Sequence, residues 1–177
     1  MHSSKFILGS ANFGSRYGFK KKTTILKKEV NKILEFCKKK GINTIDTAYN
    51  YKNSEKLIGS FNKGKLKIIT KLPKIKKKKN LKIEIMSTFE NSLKRLRIKK
   101  IYCLLVHDTP NFFLLDPKSY SNSIIELKRR GLVKKIGFSV YYPEEVSEIL
   151  KFIKPDNIQI PYNIFDRRFE KNNLLQK

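Results

Sequence analysis

Short apolar segments alternate along this chain with longer stretches whose apolar residues recur at helical spacing. The short segments predict strands at residues 6–8, 44–46, 66–70, 101–106, 135–139 and 157–160. The longer stretches predict amphipathic helices between those strands. Strands that alternate with helices form parallel sheets, so the pattern indicates an α/β fold.

Capping residues suggest where the helices begin and end. Thr24 is a suitable N-cap for a first helix that runs through Lys40, and Gly41 follows at a C-cap position. Residues 169–177 are typical of the start of a last helix. Further helices are expected at residues 54–61, at residues 81–97, up to Arg130 before Gly131, and from Pro143 onward.

Six strands fit either an open, doubly wound sheet or part of a (β/α)8 barrel. No G-x-G-x-x-G follows the first strand, and the chain has no G-x-x-x-x-G-K-[ST] segment, so both common phosphate-binding signatures of open sheets are missing. At about 100–200 residues per domain, 177 residues fit one domain, and no linker divides them. The pattern alone leaves both architectures open.

The composition bounds the class of protein. A hydrophobic fraction of 40% is enough to bury a core, and no apolar run approaches the ~18 residues of a membrane helix. The apolar run near the N-terminus, residues 6–8, is too short for a signal peptide. Cys37 and Cys103 have no motif spacing, which fits a reduced protein. We therefore expect a cytoplasmic protein with no membrane partner.

The net charge of +25 permits two interpretations. Such an excess of lysine and arginine can attract nucleic acids or anionic membranes. A general drift in composition toward lysine explains it equally well, because the lysines are spread through the chain and only residues 76–79 form a dense run. We favour the drift and do not expect a nucleic-acid partner from the charge alone.

Polar residues with catalytic potential lie at the ends of predicted strands. Asp46 closes the second strand, Tyr51 follows five residues later, Lys71 closes the third strand, and His107 closes the fourth. In a (β/α)8 barrel these ends meet at one mouth, where catalysis takes place. Each residue alone is commonly structural, as a cap, a packed ring or an exposed charge. Their combination at successive strand ends indicates a site.

The four residue types fit the reduction of a carbonyl group. A tyrosine can protonate the carbonyl oxygen, but an ordinary tyrosine pKa of about 10 is high for this task. A nearby lysine ammonium stabilises the phenolate, and a carboxylate keeps that lysine charged and in place. A histidine can orient the carbonyl and share its developing negative charge.

Several segments resemble the aldo-keto reductase family. Residues 41–55 are similar to its G-x-N-x-x-D-T-A-x-x-Y-G-x-S-E motif, and residues 8–14 to its L-G-T-x-x-x-G strand. Residues 69–71 match its lysine strand, and residues 93–107 its helix-then-strand segment ending in histidine. Residues 127–139 are similar to L-x-x-x-G-K-V-R-x-I-G-x-S, and residues 159–163 to Q-x-x-Y-N. The similarity covers almost the whole chain in the family's order.

The resemblance implies a (β/α)8 barrel that reduces an aldehyde or ketone to an alcohol with NADPH or NADH. It implies Tyr51 as proton donor, Lys71 and Asp46 as the pair that tunes it, and His107 as the group that orients a small-molecule carbonyl substrate. Ser139 and Gln159 match residues that hydrogen-bond the nicotinamide carboxamide in the family. We expect no metal.

The chain also departs from the family pattern. Val140 replaces a frequent asparagine, and Lys52 follows the tyrosine where many members have glycine. Family members continue beyond the Q-x-x-Y-N strand with two further βα units, so we expect residues 1–177 to form a partial barrel domain of about six units. The alternatives are an inactive remnant, a split subunit whose partner chain completes the barrel, and a basic polyanion-binding protein.

Overall fold

The computed structural model describes residues 5–14, 25–62, 66–76 and 78–173. In these residues six parallel strands form one curled sheet in chain order. The strands are β1 (Leu8–Gly9), β2 (Thr44–Asp46), β3 (Lys67–Leu72), β4 (Ile101–Val106), β5 (Val133–Ser139) and β6 (Asn157–Gln159). Neighbouring strands are consecutive in sequence, which is the strand order of a barrel and confirms that part of the prediction.

Helices connect the strands on the outside of the curl. They are α1 (Ala11–Gly14), α2 (Lys27–Lys39), α3 (Ser54–Asn62), α4 (Leu81–Leu96), α5 (Thr109–Leu114), α6 (Pro117–Arg129) and α7 (Pro143–Leu150). Two 3-10 segments, Lys78–Asn80 and Arg168–Asn173, complete the described elements. The second of them lies where a last α-helix was expected to start, and residues 174–177 are outside the described residues.

The helix ends agree with the predicted glycine caps. Gly41 and Gly131 adopt the left-handed φ values of 72° and 68° that a glycine after a helix tolerates without a Cβ clash. At the other end of α2 the N-cap is Leu26, whose backbone N–H donates to Oε2 of Glu29 at 2.8 Å. The N-cap expected at Thr24 falls outside the described residues, and α2 begins three residues later.

Strand limits differ from the expected ones by a few residues. β1 lies at Leu8–Gly9 and not at 6–8, while β3 continues to Leu72, so Lys71 is its penultimate residue. β5 begins earlier, at Val133. These differences in the strand limits agree with the pairing between strands, since Leu72 pairs with Val106 and Ile101 pairs with Val133. Pairing with a neighbouring strand, not local hydrophobicity, sets where each strand ends.

The core lies between the sheet and the outer helices. Phe112 of α5 is fully buried, with its ring centroid 5.4 Å from Tyr120 of α6 and 5.0 Å from Phe138 of β5. Burial of such large rings is the main stabilising contribution of a core of this kind. The cluster fixes α5 and α6 against the sheet and thereby the strand ends beside them.

Among the described residues, β1 and β6 each pair with a strand on one side only. Between these two edges the inside of the curl encloses a space of about 290 Å³, lined by Gly9, Asp46, Cys103, Asn157 and Gln159 among others. The sheet is therefore an open half-barrel in the described residues. No described helix is both long enough and apolar enough to cross a membrane.

Candidate active site

The parallel ladder brings the predicted site residues to one end of the sheet. Asp46, the last residue of β2, pairs with Ile69, two positions before Lys71 in β3. The backbone N–H of His107, which follows β4 directly, donates to the carbonyl oxygen of Leu72 at 3.1 Å. At the same end Ser139 of β5 pairs with Gln159 of β6.

Lys71 and Asp46 form a buried ion pair. The Lys71 ammonium donates to both carboxylate oxygens of Asp46, at 2.7 and 2.6 Å, and to the carbonyl oxygen of Thr47 at 3.0 Å. The Lys71 side chain is 2% exposed and that of Asp46 is 14% exposed. Since all three ammonium contacts come from this one end of β2, the lysine is held in a fixed position.

Tyr51 lies in a tight turn between β2 and α3. Its backbone N–H donates to the carbonyl oxygen of Ala48 at 3.0 Å, and its own carbonyl accepts from the N–H of Ser54 at 2.8 Å. The backbone of Gly14 packs directly on this turn, because a Cβ on Gly14 would lie 2.1 Å from the Tyr51 carbonyl oxygen. Only glycine fits there, and the turn is held from outside the sheet.

A buried group of hydroxyls fastens the same turn to β1 and β2. The Ser54 hydroxyl donates to the carbonyl oxygen of Ser10 at 3.0 Å and lies 3.1 Å from the Thr47 hydroxyl. The Ser10 hydroxyl donates to the carbonyl oxygen of Asp46 at 2.8 Å. Satisfied buried polar groups of this kind restrict a segment to one conformation. The first residue of α3 is thus tied to the strand that carries Asp46.

The Tyr51 ring lies between the lysine and the histidine. The Lys71 Nζ is 5.3 Å from the centroid of the ring, and the rings of Tyr51 and His107 meet edge to face with centroids 6.0 Å apart. A cation at this distance is attracted by the electrons of the ring and stabilises negative charge on its oxygen. The three side chains expected to cooperate are adjacent in space.

Burial changes the pKa of two basic side chains at this site, Lys71 and His107. It lowers the pKa of Lys71, and the charge and hydrogen bonds of Asp46 oppose that effect. Burial also lowers the pKa of His107, with the Lys71 charge as a second cause. The histidine is therefore neutral near neutral pH, and a neutral imidazole can still donate one hydrogen bond.

Most of these groups line one cavity of about 190 Å³ at the C-terminal end of the strands. Its wall includes Tyr51, Lys71, His107, Ser139 and Gln159. Val140, which replaces a frequent asparagine, is buried and lines the same cavity. Asp46 is not part of the cavity wall, but it contacts Lys71, which is. The structure therefore brings together all six residues that the sequence singled out.

Two buried polar atoms at this cavity have no hydrogen-bond partner among the described residues. They are Nδ1 of His107 and Oε1 of Gln159. An unpaired buried polar atom costs about 1–3 kcal/mol, so such atoms commonly await a ligand. An amide-bearing ring such as nicotinamide suits the Gln159 acceptor, and a carbonyl oxygen suits an imidazole N–H donor.

Glu55 and Arg95 form a buried arrangement that the sequence did not reveal. Glu55 is 1% exposed and accepts from the Thr70 hydroxyl and from Nε of Arg95, both at 2.7 Å. The Arg95 guanidinium stacks on the ring of Tyr49 at 3.7 Å. The network joins α3, which follows Tyr51, to the residue before Lys71. The one sign of this arrangement in the sequence was the carboxylate of Glu55, directly after the Tyr51 turn.

Lys52 has a backbone conformation that suits glycine. Its φ of 45° lies in the left-handed region, where a Cβ is crowded. The side chain is exposed. The substitution of lysine for the family's glycine therefore keeps the shape of the turn beside Tyr51 at an energetic cost.

The described residues show neither a cluster of metal-binding side chains nor a reactive thiol. No group of three or more histidine, cysteine, aspartate or glutamate side chains among them could hold a metal ion. Both cysteines are free and buried, and burial raises the pKa of the Cys103 thiol to about 12 and also raises that of Cys37. Such thiols are poor nucleophiles at neutral pH.

Comparison with solved structures places the half-barrel among aldo-keto reductases. PA4992 of Pseudomonas aeruginosa, described as an aldo-keto reductase, superposes with a TM-score of 0.78 at 27% identity, over 92% of this chain and 64% of its own. The holo form of AKR11C1 from Bacillus halodurans gives 0.77 at 25% identity, over 96% and 57%. AKR2E4 of Bombyx mori, solved with NADP, shares the fold at 0.69 and 20% identity, over 89% and 54%.

The chain spans less than two thirds of the length of these structures. A search of curated protein sequences gave no significant match. The Aldo/keto reductase family model, in contrast, matches residues 5–177, nearly the entire chain. Together with the strand order, this match shows that the chain belongs to the aldo/keto reductase family and that its half-barrel is of the (β/α)8 type.

Proposed function

We propose that this protein reduces an aldehyde or ketone to an alcohol with a reduced nicotinamide cofactor. The observation that carries the proposal is the contact of the Lys71–Asp46 ion pair with the Tyr51 ring, beside His107, at the wall of one cavity. Membership of an oxidoreductase family supports it.

Each residue has a separate task in the proposed reaction. When bound at this cavity, NADPH or NADH would supply the hydride for the carbonyl carbon. Tyr51 donates a proton to the carbonyl oxygen, and the Lys71 ammonium stabilises the phenolate that remains. The Asp46 carboxylate keeps Lys71 protonated against its burial. Neutral His107 donates a hydrogen bond that orients the carbonyl and shares its developing charge.

Ser139 and Gln159 are the residues that would hold the nicotinamide carboxamide. Gln159 lies at the cavity wall with an unpaired buried oxygen, which can accept from an amide N–H. The Ser139 carbonyl is already engaged by the Thr109 hydroxyl at 3.0 Å, so the strand end that bears Ser139 is fixed. Whether NADPH or NADH binds depends on contacts to the adenosine half, which these residues do not reach.

We propose further that residues 1–177 are one part of a barrel domain. β1 and β6 each pair on one side only among the described residues. This supports the proposal that further strands, in the same polypeptide or in a partner chain, continue the sheet. Covering both edges would remove the unpaired backbone groups that make open sheets prone to association.

The test is carbonyl-dependent oxidation of NADPH and NADH, followed by absorbance across a panel of aldehydes and ketones. The Tyr51→Phe variant removes the transferable proton, so turnover should fall by about 10²–10⁴-fold while cofactor binding persists. Tyr141→Phe is the control, because Tyr141 supplies another phenol at the same cavity. Equal turnover of wild type and Tyr51→Phe would disprove the assigned proton donor. Cofactor binding without turnover in the wild type would favour an inactive remnant.

A further inference from the structure

Many of the described lysines and arginines lie at the end of the sheet opposite the cavity. We call this end the basal face and define it by residues 38–41, 66–67, 97–100, 128–135 and 151–156. Because the strands are parallel, their starts and the C-terminal ends of the long helices meet there. Six lysines lie within three residues of strand starts: Lys67, Lys99, Lys100, Lys134, Lys135 and Lys154.

The carboxylates near the basal face are already neutralised. Glu126 pairs with Arg129 at 2.7 Å, Glu148 with Lys151 at 2.6 Å, and Asp156 with Lys128 at 2.6 Å. None of the six lysines forms an ion pair with a described residue. At the cavity end, in contrast, acidic side chains stand in the first turns of α2, α3, α4 and α7.

Helix electrostatics explain only part of this arrangement. Lys38 and Lys39 lie in the last turn of α2, where the helix end itself attracts a cation. The six strand-side lysines lie beyond the helix ends, and they include the adjacent pair Lys99 and Lys100 between α4 and β4. Like charges in such proximity repel one another, and an anionic partner would relieve the repulsion.

Aromatic rings lie among these cations. The half-buried ring of Tyr102 in β4 has the Nζ atoms of Lys67 and Lys135 at 5.2 and 5.9 Å from its centroid. Phe36, at the end of α2, is 57% exposed, with the Lys40 Nζ 5.9 Å from its centroid. Lysines for phosphates together with an exposed ring for a base are the features of surfaces that bind single-stranded nucleic acids.

A membrane surface fits the observations less well. Membrane-binding faces combine cations with apolar side chains that insert together. The exposed apolar side chains at the basal end include three phenylalanine rings, Phe6 at 75%, Phe36 at 57% and Phe152 at 44%. The most exposed aliphatic side chain in the described residues, Ile164 at 82%, follows β6 at the opposite end of the sheet. We propose that the basal face binds the phosphate backbone of single-stranded nucleic acid, with Phe36 stacking on a base. This activity is independent of the proposed reductase function.

The experiment measures binding of a labelled oligothymidylate of about 20 nucleotides by fluorescence anisotropy over a range of salt concentrations. If about five phosphates are neutralised, log K should fall against log salt with a slope of about −3.5. Two glutamine variants of equal net charge are compared. The basal variant changes Lys99, Lys100, Lys134 and Lys154, and the control changes the exposed lysines Lys56, Lys74, Lys82 and Lys118 at the cavity end.

The basal variant should bind more than tenfold more weakly, with a salt slope shallower by about 0.7 for each lost phosphate contact. The control should stay within about twofold of the wild type. Phe36→Ala should weaken binding about fivefold without a change of slope, whereas Leu26→Ala, at the other end of α2, should not. Circular dichroism melts verify that each variant is folded.

Three outcomes would overturn the proposal. Equal losses in the basal and control variants would mean that net charge alone drives binding. Unchanged binding in the basal variant would place the contact elsewhere. Binding to phosphatidylserine vesicles that depends on the basal lysines, with none to the oligonucleotide, would assign this face to a membrane.

Discussion

Burial and ion pairing shift the pKa of Lys71 in opposite directions. Burial lowers the pKa of the ammonium, and the Asp46 charge and hydrogen bonds raise it. An Asp46→Asn change removes only the raising contribution, so the lysine should lose its proton at a lower pH. If the reaction needs the ammonium, the alkaline limb of kcat/KM should move to lower pH and the rate should fall. Rate measurements across the pH range check this expectation.

The matched control for that experiment is Asp116→Asn. Asp116 caps α6 through the N–H groups of Lys118 and Ser119, and it is exposed. Its loss removes one negative charge without touching Lys71, so the alkaline limb should stay in place. A wild-type pH profile in Asp46→Asn would mean that Lys71 is not the group that titrates in the reaction.

Lys52 permits a test of backbone strain beside Tyr51. Its left-handed φ of 45° disfavours any residue with a Cβ, so Lys52→Gly should stabilise the fold by roughly 0.5–1 kcal/mol despite the entropy of glycine. Lys56→Gly is the control, because Lys56 lies within α3, where glycine costs about 1 kcal/mol. Urea denaturation measures both changes. Destabilisation by Lys52→Gly would show that the turn is not strained.

At the scale of elements, two close backbone approaches have different consequences for the site. A Cβ on Gly14 would lie 2.1 Å from the Tyr51 carbonyl oxygen, and one on Gly59 would lie 2.3 Å from the Arg95 carbonyl oxygen. Each alanine variant should lose ~1–3 kcal/mol of stability. Only Gly14→Ala displaces the Tyr51 turn, and a 1 Å displacement can cost about 100-fold in rate.

The measurement is kcat at a temperature where thermal melts show both variants folded. Gly59→Ala controls for the packing defect, since it separates α3 from α4 without contact to the Tyr51 turn. Similar kcat values in the two variants would contradict a positioning role for Gly14. A large fall in kcat for Gly14→Ala alone would support it.

The sequence predicted the longer elements well and missed the short ones. α2, α4 and α6 have enough residues for the 3.6-residue pattern to stand out. α1 and α5 have four and six residues, and tertiary contacts stabilise them. In α1 the side chain of Phe13 is buried, and in α5 the buried Asn111 side chain exchanges two hydrogen bonds with the backbone of Ile75, at 2.8 and 3.1 Å. Such contacts join residues far apart in sequence and leave no local pattern.

The candidate site was predictable for a different reason. Asp46, Lys71 and His107 could be placed together because parallel strands end at a common edge, once strands were recognised around them. The Glu55–Arg95 pair could not be predicted, since its members lie 40 residues apart on two helices. The cluster of lysines at the basal face was equally hidden, because lysines spread along the chain meet only after the strands align.

At the scale of the whole molecule, the open edges should determine the order of local unfolding. β4 has six residues, is paired on both sides and contains the buried Leu104 and Leu105, whereas β1 and β6 have two and three residues and are paired on one side in the described structure. Amide hydrogen exchange followed by mass spectrometry should therefore be slowest in β4 and fastest in β1 and β6, because strands with few buried contacts open at lower free energy. Peptides from α3 and α4 provide an internal reference of intermediate protection, since these helices pack against each other through Gly59.

Protection of β1 and β6 equal to that of β4 would contradict open edges and would mean that further strands, from the same polypeptide or from another copy, cover them. In that case the protection should depend on protein concentration only if the covering strands come from another molecule, because an intramolecular strand closes the barrel at any dilution.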